Sequence, residues 1–149
     1  MRSSDRLLLL AAPAAALASV DLIVKANVPT ASWAFHHRSN VWVALSVALL
    51  VGAVILTLVP SSTVALAAGV MSGGVIGNLV SARSDANWVP NPLTITGYGY
   101  GVAFNLADVF FLLGNLLLMT ALIAATRRHQ ERLITLRAWE RALLRRLRF

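Results

Sequence analysis

Four apolar stretches, each close to the length that crosses a bilayer, constrain this chain more than any other feature. They span residues 7–26, 41–59, 63–82 and 106–126. A transmembrane helix needs about 20 apolar residues to cross a hydrocarbon core of about 30 Å. Because 58% of the chain is hydrophobic and only 13% is charged, little remains for a soluble domain. The sequence therefore predicts an all-α membrane protein with four transmembrane helices.

The basic residues predict which way these helices run. Ten of the thirteen Lys and Arg residues lie before the first apolar stretch or after the fourth. Short segments rich in Lys and Arg stay in the cytoplasm, so we expect both termini inside and the loops after the first and third stretches outside. The net charge of +7 then reports topology, and we expect no binding to nucleic acid.

Residues 127–149 are predicted to form a second segment beyond the four-helix domain of residues 1–126. Leu136, Trp139, Leu143 and Leu147 recur at helical spacing, and arginines follow a neighbouring stripe. A basic amphipathic helix of this kind lies on the anionic cytoplasmic leaflet. The alternative is a charged tail that is only solvated.

The N-terminus admits a rival interpretation. Arg2, Arg6 and the apolar run that follows are typical of a secretory signal peptide, with a small-residue cleavage motif at residues 16–18. Against cleavage, the apolar stretch continues further and carries Asp21 and Lys25, which are costly in lipid and need a reason to be there.

Polar residues of three predicted helices converge at one depth. At about 1.5 Å per residue, Asp21 lies roughly 21 Å above the inner end of its helix and Asn78 roughly 22 Å above the inner end of its own. The full set is Asp21, Lys25, Asn78, Arg83, Asn105 and Asp108. Lipid cannot satisfy a carboxylate, so these groups are expected to face one another or a wet pocket near the outer surface. Taken singly, some of them have a structural explanation. Asp21 and Lys25 can form a local ion pair, Asn78 can form a helix–helix hydrogen bond, and Asp108 can be a helix N-terminal carboxylate.

Three motifs resemble those of a known family. They are "SGGVIGN" at 72–78, "FNLAD" at 104–108, and Asp21 with Lys25 late in the first helix. Together they are similar to the lipoprotein signal peptidases (signal peptidase II), four-helix aspartic proteases of the bacterial plasma membrane. These enzymes remove the signal peptides of diacylglyceryl-modified prolipoproteins. The resemblance implies lipidated precursor proteins and membrane lipid as partners, and no cofactor or metal.

The family uses two aspartates to activate water, and the resemblance makes Asp108 one of them. Supporting or substrate-binding roles fall to Asp21, Lys25, Asn78, Arg83 and Asn105, with Arg83 one residue late. Asn91 stands where the partner carboxylate is expected, and an amide is neither an anion nor a useful base. Asp85 or Asp21 is then required as the second carboxylate.

Two other departures from the family pattern count against ordinary activity. The loop after the first helix lacks the family's Asn-Thr-Gly-Ala-Ala-Phe element, which predicts a truncated strand cradle, and the aspartate expected just before the arginine is missing. His36 and His37 are more typical of an interfacial loop than of a metal site.

The same residues leave two other functions open. If no other carboxylate compensates for Asn91, the protein binds lipoprotein precursors or lipid without cutting them. A third hypothesis is a small exporter in which Asp21 exchanges protons for cationic drugs.

Overall fold

The computed structural model describes residues 2–97 and 100–146, with side chains as far as residue 128. Its α-helices are α1 (Ser3–Asn27), α2 (Asn40–Leu56), α3 (Ser62–Ser84) and α4 (Leu106–Arg146). A 3-10 turn at Ser32–Ala34 precedes the first of four short strands. The strands are β1 (Phe35–His37), β2 (Trp88–Pro90), β3 (Leu93–Gly97) and β4 (Tyr100–Phe104).

The chain is mostly helical, and three of its helices are long and apolar enough to cross a membrane. They are α1, α3 and the Leu106–Arg128 part of α4. At about 1.5 Å per residue, the 17 residues of α2 reach only about 26 Å, less than the usual hydrocarbon thickness. The membrane class is therefore confirmed at this level, whereas the second span and the orientation stay predictions.

Helix α3 is the centre of the bundle and packs against α1, α2 and α4. Most of its buried residues are small, which lets neighbouring backbones approach closely. At Gly74, an added Cβ would collide with the backbone of Ala107 and Phe111 on α4. The glycine-rich motif of α3 thus sets the close packing of α3 against α4.

The expectation of an all-α chain needs one correction, because the two loops at one end of the bundle form two small sheets. Strand β1 pairs with β2 in antiparallel register, with His36 opposite Val89, and β3 pairs with β4. The segment 91–105 looks like turn material because of its Gly and Pro residues. Its Thr94, Ile95 and Thr96, however, are good strand formers, and they pair along β4.

Helix α4 is continuous from Leu106 to Arg146, so it crosses the predicted boundary between residues 126 and 127 without a break. The predicted amphipathic stripe of Leu136, Trp139, Leu143 and Leu147 lies outside the residues whose side chains the structure describes. That part of the prediction is untested.

Candidate functional site

A polar network occupies the end of the bundle where the C-termini of α1 and α3 meet the N-terminus of α4. We call this end the site end. Its first member is Asp21 of α1, which is completely buried and lies 2.6 Å from the Nζ of Lys25. The other Asp21 oxygen accepts a hydrogen bond of 2.8 Å from the backbone N–H of Ala107. The Asp21 carboxylate therefore fastens α1 to the start of α4.

A glycine of α3 makes room for this buried carboxylate. A Cβ added at Gly77 would stand 2.6 Å from Oδ2 of Asp21 and 3.3 Å from the Cβ of Ala107. Any side chain at position 77 would push the carboxylate from its place. The glycines of "SGGVIGN" thus serve the site as well as the packing.

Asn78 carries the network from α1 to α4. The Nζ of Lys25 donates to its Oδ1 over 2.8 Å, and its Nδ2 donates to Oδ1 of Asp108 over 2.8 Å. A cation on one side and a carboxylate on the other fix the orientation of this amide. Asp21 and Asp108 are thus linked indirectly, through Lys25 and Asn78.

The motif "FNLAD" is the start of α4. Oδ1 of Asn105 accepts from the N–H of Asp108 over 3.0 Å, and Oδ2 of Asp108 accepts from the N–H of Asn105 over 3.2 Å. These reciprocal bonds have the form of a capping box. The structural explanation given above for Asp108 holds for one carboxylate oxygen, Oδ2, which accepts from the Asn105 N–H at the start of the helix.

Asn91 is joined to Asp108 through Asn105. The Nδ2 of Asn105 donates to Oδ1 of Asn91 over 2.6 Å, and the Asn91 side chain is almost completely buried. The Nδ2 of Asn91 lies 2.8 Å from Nδ1 of His36 and 3.3 Å from the carbonyl oxygen of Ala103. The residue at the position of the expected carboxylate is therefore linked to Asp108 indirectly, through Asn105, and the network continues to His36.

The other two predicted residues lie apart from this network. Arg83 and Asp85 are exposed at the end of α3, and neither has a side-chain bond to the network within the described part of the chain. Asp85 is the C-cap residue of α3. The structure therefore does not bring Asp85 to Asp108, and the Asp21 carboxylate is occupied by Lys25 and Ala107.

One network carboxylate, that of Asp108, opens onto a cavity of about 220 Å³ between α2, α3 and α4. Asp108 is half-buried, and Asn78 lies beside it in the cavity wall. The opposite elements contribute Arg38, Trp42 and Ser46. A small polar group or water molecules can thus approach Asp108 from the side that the network leaves open.

Arg38 and His36 are site residues that the sequence analysis missed. The backbone N–H of Arg38 donates to the carbonyl of Asn87 over 2.7 Å, and its guanidinium lies 5.1 Å from the ring centre of Trp42. Its Nε is buried and has no hydrogen-bond partner among the described residues. One signal was available, because Arg38 is a basic residue in a loop that the charge pattern places outside.

Comparison with protein-family models, with curated proteins and with solved structures gave no significant match. The resemblance to signal peptidase II therefore depends on the sequence motifs alone, and membership of that family stays a prediction.

Proposed function

We propose that this chain is a signal peptidase II-like aspartic endopeptidase that cleaves the signal peptides of lipidated precursor proteins. In this proposal it is a multi-pass protein of the bacterial plasma membrane, with four spans and both termini in the cytoplasm. The site end then lies near the outer surface, where a lipidated substrate would reach Asp108 from the bilayer.

One observation carries the proposal: the network leaves one carboxylate, that of Asp108, facing a cavity. Each oxygen of this carboxylate accepts one hydrogen bond, from Asn78 and from the N–H of Asn105. An ionised carboxylate offers about four acceptor positions, so Asp108 retains capacity for a water molecule. A carboxylate held in this way is suited to take a proton from attacking water.

The second candidate function is binding without cleavage, and Asn91 favours it. Its amide is buried and bonded to Asn105 and Ala103, as expected of a residue that now stabilises the loop. A protein of this kind would hold lipidated chains in the same cavity and leave them intact. The exporter hypothesis gains no support from Asp21, which is fully buried in its ion pair and is absent from the cavity wall.

The proposal is tested with purified protein in lipid nanodiscs and a synthetic precursor peptide that carries a diacylglyceryl cysteine. Mass spectrometry follows release of the signal peptide. We expect cleavage by the unmodified protein, and Asp108→Asn should lower the rate by about 100-fold or more, as for loss of a general base. Asp85→Asn is the matched control, because it removes the same charge from an exposed position on the neighbouring helix end.

The outcomes separate the two candidates. Cleavage that persists at full rate in Asp108→Asn refutes Asp108 as the catalytic base. Binding of the lipidated peptide with no release of product by the unmodified protein favours the noncatalytic function.

A further inference from the structure

The cavity beside Asp108 contains a second charged group that no predicted role includes. Arg38 enters it from the segment between β1 and α2, and Asp108 lines the same cavity from α4. The predicted arginine, Arg83, is exposed elsewhere. Arg38 is therefore the cation in this cavity wall that a group bound at Asp108 could contact.

Two contacts hold Arg38 in place without using up the donors of its side chain. Arg38 lies just before the N-cap of α2, where its backbone N–H donates to Asn87 and its guanidinium packs against Trp42. A cation over an aromatic ring is held electrostatically but keeps its N–H groups free. The Nε is buried and has no partner among the described side chains, and a native protein normally satisfies such a donor. A ligand with an oxygen acceptor would satisfy it.

We propose that Arg38 binds the carbonyl oxygen of the scissile peptide bond and stabilises the oxyanion that forms there. This inference rests on the proposed function and names the group that completes it. Preorganised donors aimed at a developing negative charge are among the largest contributions to enzymatic rate. Arg38 and Asp108 would bind the two sides of the reacting carbonyl group.

The resulting reaction needs one carboxylate. The water oxygen bonds to the carbonyl carbon as Asp108 takes a proton from that water, and the carbonyl π electron pair moves to the oxygen held by Arg38. The tetrahedral intermediate then re-forms its C=O bond, the C–N bond breaks, and Asp108 returns the proton to the leaving nitrogen. Because the same carboxylate accepts and returns the proton, Asn91 does not have to act as an acid.

The test compares Arg38→Gln and Arg38→Lys with Arg83→Gln. Arg83→Gln is the matched control, since it makes the same change of charge at an exposed site. With the diacylglyceryl peptide as substrate, we expect Arg38→Gln to lower kcat by about 100-fold to 1,000-fold, as for loss of an oxyanion donor. KM should change less than kcat, and Arg38→Lys, which keeps the charge beside Trp42, should retain part of the activity.

A second measurement keeps this inference separate from the proposed function. A lipopeptide with a phosphinate in place of the scissile amide presents the oxyanion without requiring turnover. Its binding is followed by the fluorescence of Trp42 in a protein whose other three tryptophans are replaced by phenylalanine. Arg38→Gln should weaken binding of this probe by at least about tenfold, the lower range for a charged hydrogen bond, while Arg83→Gln should not.

These readouts give distinct failures. Absence of cleavage by the unmodified protein, with phosphinate binding that depends on Arg38, overturns the peptidase and retains Arg38 as the anion-binding group. The role of Arg38 is overturned if the Arg38→Gln protein folds, binds the phosphinate as tightly as Arg83→Gln does and cleaves the peptide as fast. An increase in KM with unchanged kcat also overturns it, because Arg38 would then bind substrate without stabilising the oxyanion.

Discussion

Replacing Lys25 by methionine is expected to destabilise the protein strongly, because it leaves the Asp21 carboxylate buried without its cation. The two charged groups lie 2.6 Å apart, Asp21 is completely buried, and the Lys25 side chain is only 4% exposed. Removing one partner of a buried ion pair typically costs about 3–5 kcal/mol. Methionine keeps the length and apolar volume of the lysine stem, so the cost comes from the charge and from the hydrogen bond to Asn78.

The assay is reversible unfolding in mixed micelles, which gives the free energy of unfolding for each variant. The double variant Asp21→Asn with Lys25→Met is the control, since asparagine retains an oxygen for the Ala107 N–H and leaves no unpaired charge. Replacing both members of a buried pair is often close to neutral, so we expect this variant within about 1 kcal/mol of the unmodified protein. A cost below about 1 kcal/mol for Lys25→Met alone would refute the reasoning, because the median surface ion pair contributes that little.

Two further predictions concern the residues that surround the network. Gly77→Ala should lower the free energy of unfolding by about 1–3 kcal/mol, as for other overpacked cores, because its Cβ would stand 2.6 Å from the Asp21 carboxylate. Unfolding in micelles measures this change, and an unchanged unfolding midpoint would contradict the prediction. His36→Ala should loosen the loop that carries Asn91 and speed amide hydrogen exchange in β2, since His36 contacts that side chain. His37→Ala is the matched control, because His37 packs edge-on against Trp88 and has no described bond to Asn91; equal exchange in the two variants would count against the contact.

The depth of the helical site residues could be predicted from the sequence, because a helix advances by a fixed rise and side-chain height follows from residue number. Asp21, Lys25, Asn78 and Asp108 therefore meet as expected. Rotation about the helix axis matters as much as height. Arg83, one residue later than in the motif, is turned by about 100° at 3.6 residues per turn, and it lies exposed at the end of α3.

The loop residues of the site could not be predicted in the same way. His36 and Arg38 reach the site because β1 pairs with β2, a segment about 50 residues later in the chain, and no local pattern records that register. Asn91 was predicted to stand where the partner carboxylate is expected, but its bonds to Asn105 and His36 depend on the same strand pairing. The helical half of the site was therefore predictable from residue spacing, whereas the loop half depends on long-range strand pairing.

The central proposal is that this site is an aspartic peptidase site with Asp108 as a catalytic carboxylate and Asn91 at the position of its partner. Asn91→Asp tests it most directly, through the initial rate of cleavage of the diacylglyceryl peptide in nanodiscs. One oxygen of the new carboxyl group would accept from Asn105, as Oδ1 of Asn91 does, and the other would face His36 and the Ala103 carbonyl. When protonated, that second oxygen would donate to the Ala103 carbonyl. Aspartic proteases likewise keep one of their two carboxyl groups protonated as the acid.

We expect Asn91→Asp to cleave at least about tenfold faster than the unmodified protein, since general acid catalysis typically contributes about 100-fold or more. Adding Asp108→Asn to this variant should abolish the gain. A folded Asn91→Asp protein that binds the lipidated peptide and cleaves it no faster would contradict the claim.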